Sequence, residues 1–430
     1  MASLGAVAIR AAGAVCGFLF NVALARTLGA PGTGSVMLYL SFATMIGLIA
    51  TGGMDVVGLR ELSRSAAERE RTNAMLANLA CGALASMLLF SIGSFVFLLM
   101  LRPSLGGIGS VWVYAICALM LCTTALQKTL SDWLVGLGEL AASQLTFYFL
   151  NRIAALSLVL AGLAIGVSAS AQSFMTIYAA GLLVCVLYAV WRISTHITGG
   201  VPSPRLAAVT PLLHDGISCA AQNAAFILLN FAPFLLLGLF STASETGLFG
   251  VSQRLVALVV LTLTTVSQLA MRDFSRAFAD RDSSALARAL TASFRLTFLA
   301  AIGLTLPLVL CAPFWISVFG PPFAAAAPTL VLLSAGVCAQ CLGMPFQAVL
   351  LTTHHERGAR NVTVVCAAAG IALNVLLVPH WGALGAAMGT GIGLALQSAG
   401  HAIYAFRALP LRFHAAFFAI VPLPATQSVP

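Results

Sequence analysis

The chain has 430 residues, 60% hydrophobic and only 8% charged, with a mean hydropathy of +1.02 and a formal net charge of +9. A soluble domain carries about 25% charged residues to coat its surface, and the alternating strands of an outer-membrane barrel do not yield long unbroken apolar runs; both are excluded. The arginines punctuate apolar runs instead of clustering with aromatics on one segment, so the basic balance reads as topology signalling and not as nucleic-acid binding.

In chain order, apolar runs separated by polar or Gly/Pro breaks predict about twelve spans, near 5–25, 36–54, 75–101, 110–131, 143–166, 172–192, 212–240, 248–270, 290–311, 324–351, 361–378 and 383–406. Each is close to the roughly 20 residues that cross a bilayer as an α-helix. The fold class is therefore an all-α polytopic membrane protein. The run from Phe413 to Leu423 is too short to cross and is expected at the interface or frayed. The first segment starts apolar with no small-residue cleavage site, so no signal peptide is expected.

Loop charge sets the expected orientation. Loops after spans 2, 4, 6, 8 and 10 and the C-terminal tail carry fifteen basic residues, among them Arg60, Arg64, Lys128, Arg192, Arg205, Arg272, Arg276 and Arg357, against Arg26 and Arg102 in the odd loops. By the positive-inside rule both termini are expected in the cytoplasm.

An internal repeat follows the same order. Leu59-Arg60-Glu61-Leu62-Ser63-Arg64 after span 2 matches Met271-Arg272-Asp273-Phe274-Ser275-Arg276 after span 8, at an offset of 212 residues. Upstream, the segment from Gly29 to Gly34 takes the place of Thr242 to Gly247, one residue out of register. Because spans 2 and 8 share an orientation, these are parallel repeats about an axis along the membrane normal. The reading is two six-helix lobes around a central cavity: residues 1–200, a cytoplasmic linker at 201–205, a second lobe at 206–410 and a tail at 411–430. Two bodies that rock about a central site are a transporter plan.

Four blocks then carry a family resemblance: Ala23-Leu24-Ala25-Arg26-Thr27-Leu28-Gly29 with Gly52-Gly53-Met54-Asp55; Thr246 to Leu255; Val318-Phe319-Gly320-Pro321-Pro322-Phe323; and Asn374 to Pro379 with Gly382 to Ala387. In this order they resemble the Wzx-type lipid-linked oligosaccharide flippases of the multidrug/oligosaccharidyl-lipid/polysaccharide exporter superfamily, over nearly the whole chain. The resemblance implies export of undecaprenyl-diphosphate-linked glycan units across a bacterial inner membrane for surface polysaccharide. It also implies a cavity lined by helices 1, 2, 7 and 8 with cationic residues, membrane lipids as surroundings, and polysaccharide polymerase machinery as a candidate partner. The basic tail often found before the first helix in that family is absent.

Four arginines fall within spans, where each costs about 2.5–3.5 kcal/mol at a helix centre. Arg295 lies near a helix end and is expected to snorkel. Arg10 shares a helical face with Gly13, Ala14, Gly17 and Asn21, small and polar, which fits a neighbouring helix or a wet cavity rather than acyl chains. Arg254 lies on a face with Gly247, Gly250 and Ala257. Arg152 reads either as a cavity residue or as the partner of Asp132 or Glu139. Guanidinium forks suit a diphosphate, because they satisfy several acceptor oxygens with paired, charge-assisted bonds. The amides Gln222, Asn223 and Asn230 of span 7 suit sugars, or else bond between helices, and Pro233 is expected to loosen that helix. Arg60 and Glu61 are expected to pair with Asp273 and Arg272 as a cytoplasmic gate, the alternative being plain solvated charge.

Chemistry is not expected of this chain. The cysteines fall in or beside apolar stretches and read as helix packing, His354-His355-Glu356 lacks metal-ligand spacing, and no Walker-type phosphate loop occurs, so neither a catalytic set, a metal nor a cofactor is expected. Two other functions compete. A cation-coupled multidrug or metabolite antiporter would need acidic residues deep in the first lobe, whereas Asp55 sits at a span end. A membrane glycan polymerase or acyltransferase would need acid–base groups that the odd loops, with Glu245 and His380, hardly supply.

Overall fold

The computed structural model describes residues 2–65, 69–101, 111–164, 170–197, 206–409, 411–414 and 419–422. The expected linker at 201–205 and the basic residues Arg102 and Arg205 lie outside the described residues. Among the described residues, ten helical stretches are long and apolar enough to cross a bilayer. Two of them, of 43 and 53 residues, far exceed one bilayer crossing and each contains a break. Helix α1 (Ala2–Ala50) turns at Gly29, where φ is +64°, two residues before Pro31. A left-handed residue ends the helical hydrogen bonding at little cost only when it lacks a Cβ, and proline restarts a helix because its missing N–H is not needed there. The last long helix (Glu356–Ala408) also breaks at a left-handed glycine, Gly382 at φ +52°, but here the proline, Pro379, comes before it, at the end of the first half. Divided at these breaks, the ten stretches give twelve membrane-length helices among the described residues.

The surface confirms the solvent. Leu89, Leu299, Leu310 and Trp112 are largely exposed, while Asn374, Thr246 and Thr297 are buried. Apolar groups outside and polar groups inside are stable when lipid tails surround the helices. The chain is a multi-pass membrane protein.

Several elements differ from the sequence expectation. After the turn at Gly52 (φ +57°) and Gly53 (φ +77°), the charged segment expected as a loop forms helix α2 (Met54–Ser65). Beyond α3 (Arg69–Leu101), helix α4 (Val111–Gly136) runs a turn past the expected end of span 4, and Lys128, counted among the loop charges, lies well inside it. Span 5 is three consecutive pieces: α5 (Leu140–Gln144), a π-helical turn (Leu145–Leu150) and α6 (Asn151–Ala164). Helices α7 (Ala171–Ser194), α8 (Leu206–Phe240) and α9 (Ala243–Ala279) follow. Pro233 lies within α8, and the carbonyl of Asn230, three residues before it, accepts from Gln253 Nε2 at 3.0 Å.

Helix α10 (Ser283–Leu310) starts on Asp282, whose carboxylate accepts from the Ser284 and Ala285 N–H groups at 2.9 Å, an N-cap that satisfies otherwise orphaned donors. A short α11 (Ala312–Ser317) and a 3-10 turn (Pro321–Ala326) lead into α12 (Ala327–Thr352), and Glu356–Ala408 is α13. The tail expected to fray or lie at the interface holds β1 (Leu411–His414) and β2 (Ala419–Pro422), paired antiparallel with Leu411 opposite Pro422, and β2 runs against α10. Residues 415–418 and 423–430 lie outside the described residues.

The chain divides into two compact units, Met1–Ile227 with Thr242–Gly247, and Leu228–Ser241 with Leu248–Pro430. In the first, α4 packs against α1, α2, α3 and α7 around the buried Tyr114, and Trp133 Nε1 donates to the Met54 carbonyl at 3.0 Å. In the second, α12 packs on α10 and α13, with Phe274, Leu290 and Phe346 in its core. Gly336 and Gly391 meet there backbone to backbone, the close approach that small residues allow in membrane helices.

Candidate functional site

In the first unit, the small face of α1 has a definite use. A Cβ at Gly13 would strike the Tyr148 carbonyl, and one at Gly17 would meet the Arg152 side chain at 2.8 Å. The two glycines therefore let the π-helical turn and α6 approach α1. A π turn adds one residue per turn and re-aims the side chains that follow it, which is why such turns recur at functional sites. Here it presents Tyr148 to two cations. The Arg10 guanidinium carbon lies 4.9 Å from the Tyr148 ring centroid and that of Arg152 lies 5.9 Å from it.

Both arginines are half-buried and held in place by neutral acceptors. Arg10 Nε donates to Gln144 Oε1 at 2.5 Å, and an Arg152 terminal nitrogen donates to the Tyr148 carbonyl at 2.9 Å. Among the described residues, neither guanidinium forms an ion pair. Two positive charges, partly desolvated, beside one aromatic ring and with no carboxylate partner among the described residues, attract an anion with several oxygens. Of the two readings of Arg152, the pairing with Asp132 or Glu139 is not formed, because both carboxylates are taken. Asp132 binds Lys128 one turn earlier on α4, and Glu139 accepts from Arg192 through both oxygens at 2.9 Å with His196 at 3.3 Å. The Arg192 hydrogen bonds hold the Glu139 carboxyl below its usual range, against a smaller opposing effect of burial.

The other expected residues divide. Asn21, buried, donates to the Gly17 carbonyl of its own helix at 2.6 Å. The Gln222 side chain lies outside the described residues, while Asn223 is exposed on α8. In the second unit, Asn230 and Arg254 are half-buried and Arg295 is exposed. Arg60 of α2 is held at 3.1 Å by Glu61 and, from α8, by Asp215, a partner not singled out in the sequence. Arg64 also bonds Glu61, at 3.1 Å. Asp273 is exposed and the Arg272 side chain lies outside the described residues. Sequence reading also missed Gln144 and Tyr148. Tyr148 lies four residues before Arg152 and Gln144 four before Tyr148, a helical spacing that marks one face.

The sequence profile of the family described as polysaccharide biosynthesis protein matches residues 6–271. A probable low-salt glycan biosynthesis flippase, Agl15 of Haloferax volcanii, is 22% identical over 238 residues; the match covers 54% of this chain and 49% of that protein, so the aligned part spans about half of the relative's length. Among solved structures, an inward-facing multidrug resistance MATE family transporter of the MOP superfamily superposes with a TM-score of 0.77 at 13% identity, covering 94% of this chain and 97% of the other. The lipid II flippase MurJ in an inward closed conformation gives a TM-score of 0.73 at 12% identity, covering 97% and 88%. At such identities these likenesses speak for the fold, which is that of the MATE and MurJ transporters.

Proposed function

As the chain belongs to the polysaccharide biosynthesis protein family, we propose that it flips undecaprenyl-diphosphate-linked glycans across a bacterial inner membrane by alternating access, supplying surface or exported polysaccharide. Both termini face the cytoplasm in this reading, as the loop charges favour. Support for an anionic cargo comes from one arrangement above all: Arg10 and Arg152 both beside the Tyr148 ring, with no carboxylate to neutralise them among the described residues. A charged side chain at membrane depth persists where it has a functional partner, and a diphosphate supplies the missing negative charge. Arg254, Asn223 and Asn230 are further candidates for holding the cargo, and lipid tails would stay in the bilayer while the head group crosses. Polymerase machinery then receives the product.

The test is binding of undecaprenyl diphosphate to the protein in lipid nanodiscs, followed by native mass spectrometry. Arg10→Ala and Arg152→Ala are each expected to weaken binding about ten- to hundredfold, since a charge-assisted hydrogen bond contributes about 1.5–3 kcal/mol. Arg152→Lys is expected to restore it only in part, because an ammonium lacks the bidentate fork. Unchanged binding in both alanine variants would show that the diphosphate is held elsewhere.

A further inference from the structure

Two helices of the second unit end in the same strained way. At the end of α9 the Asp282 N–H donates to the Ala277 carbonyl at 3.0 Å, and the Arg281 N–H to that of Phe278 at 3.1 Å. At the end of α12 the His355 N–H donates to the Leu350 carbonyl at 3.0 Å. Such a wrap puts the residue before the last donor in the left-handed region, where glycine is the usual occupant. Here that residue is Arg281, at φ +55°, or His354, at φ +62°; among the described residues, no other non-glycine residue has a positive φ. An L side chain is strained there, and strain of this kind persists where the side chain has a use.

Both residues line one cavity of about 630 Å³ where α9, α10, α12 and the end of α13 meet. Leu286 and Leu409, both buried, form its floor, and the Phe278 ring is a wall, 5.8 Å from the His354 ring between centroids. Arg281 and His354 are exposed at the rim. Among the described residues, Arg281 forms no ion pair. The cavity's carboxylate, Asp282, is already committed to the N-cap of α10. Its Oδ1 accepts from Ser284 Oγ at 2.6 Å and from the Ser284 and Ala285 N–H groups at 2.9 Å, and Oδ2 lies 3.9 Å from Arg288. The apolar runs ending at 351 and 406 stop beside Thr352 and Leu409, so the cavity opens at the level of the lipid head groups.

We propose that this cavity holds the head group of an anionic phospholipid, with the phosphate on Arg281 and His354 and the glycerol backbone over Leu286 and Leu409. A basic rim above an apolar floor complements a molecule that carries its charge outward and its carbon inward. The histidine needs no charge for this, because a neutral imidazole still donates one N–H. A soluble anion would use the rim alone and leave the apolar floor in water. Glycine at both helix ends would relieve the backbone and remove the two groups that face the phosphate. A lipid bound there braces four helix ends, and a ligand that binds only the folded chain adds to its stability. This site uses no residue of the Arg10–Tyr148–Arg152 arrangement and does not depend on the identity of the cargo.

The test is retention of phosphatidylglycerol by the detergent-purified protein, read by native mass spectrometry, together with the thermal shift that the added lipid causes. Phosphatidylglycerol is expected to raise the melting temperature, whereas phosphatidylcholine and inorganic phosphate are not. Arg281→Gln keeps the strained backbone and removes the charge, and should weaken phosphatidylglycerol binding about tenfold. Arg281→Gly and His354→Gly should weaken it as well. Without lipid, however, both glycine variants should melt no lower than the parent, because glycine suits the left-handed turn. Parental retention of phosphatidylglycerol in both Arg281→Gln and His354→Gly overturns the site. So do glycine variants that melt below the parent, since the two side chains would then serve the fold. An equal thermal shift from inorganic phosphate also overturns it, as the mark of a soluble-anion site.

Discussion

Gly34 on α1 and Gly247 on α9 lie against each other, so that a Cβ on Gly34 would stand 2.8 Å from the Gly247 nitrogen and one on Gly247 would stand 3.2 Å from the Gly34 nitrogen. Each would also strike a carbonyl of the facing helix, that of Ala243 or of Ala30. These two glycines end the segments that the internal repeat aligns, Gly29 to Gly34 and Thr242 to Gly247. Backbone-to-backbone packing of this kind requires the smallest residue on both sides.

Substitution there is expected to act on folding before transport. Gly34→Val or Gly247→Val forces two helices apart, and overpacking of this kind costs about 1–3 kcal/mol or more. The measurement is thermal stability of the detergent-solubilised protein by fluorescence-detected gel filtration, with Gly5→Val, where a Cβ meets nothing within 4 Å, as the control. Equal stability of the Gly34, Gly247 and Gly5 variants would show that these helices separate freely.

Tyr148 is expected to matter as a ring. Cation–π contact is worth about 0.5–2 kcal/mol when partly desolvated, so Tyr148→Leu should weaken undecaprenyl diphosphate binding by roughly two- to thirtyfold by loosening Arg10 and Arg152. Tyr148→Phe keeps the face and should bind nearly as the parent does. If phenylalanine is as damaging as leucine, the hydroxyl and not the ring is what the site uses.

The Glu139–Arg192–His196 cluster predicts an acid-sensitive contact. A carboxyl held below its usual range by Arg192 contributes stability that is present above the unfolded-state value and lost as pH falls through the folded-state one. Glu139→Gln should therefore melt below the parent at neutral pH, with the gap closing in acid beneath the ordinary carboxylate range. Because the groups are partly exposed, the gap is expected to be about 1 kcal/mol or less. A gap that is the same at every pH would mean that the glutamate packs without pairing.

Much of the helix plan was legible because hydropathy and Gly/Pro punctuation are local signals. Pro31 and Pro379 announced the breaks that Gly29 and Gly382 make. What escaped notice depended on tertiary partners. Lys128 looked like a loop residue because a charge normally ends an apolar run, yet Asp55 and Asp132 let α4 carry it onward. The charged string after span 2 looked like a loop because polar residues carry no membrane period, although it folds as α2. Nothing local marks a π turn, and although the four-residue spacing puts Gln144, Tyr148 and Arg152 on one face, their meeting with Arg10 depends on the close approach at Gly13 and Gly17.

The charges on α2 offer the last prediction. The proposed gate pairs Arg60 with Asp273 when the transporter opens to the far side, whereas in the present conformation Arg60 is held by Glu61 and Asp215 at 3.1 Å. Exposed pairs contribute only about 0–1 kcal/mol each, too little to hold a fold but enough to bias two nearly balanced states. Charge reversal separates the two roles. Arg60→Glu alone should impair surface glycan export, measured in cells whose own flippase gene is deleted and with the variant's membrane level matched to the parent. If Arg60 serves as a brace to α8, adding Asp215→Arg restores export and adding Asp273→Arg does not. If it serves as a gate, Asp273→Arg restores export, because the new pair forms only in the state that the gate closes. Normal export by Arg60→Glu alone would dismiss both, leaving these arginines as anchors that report topology.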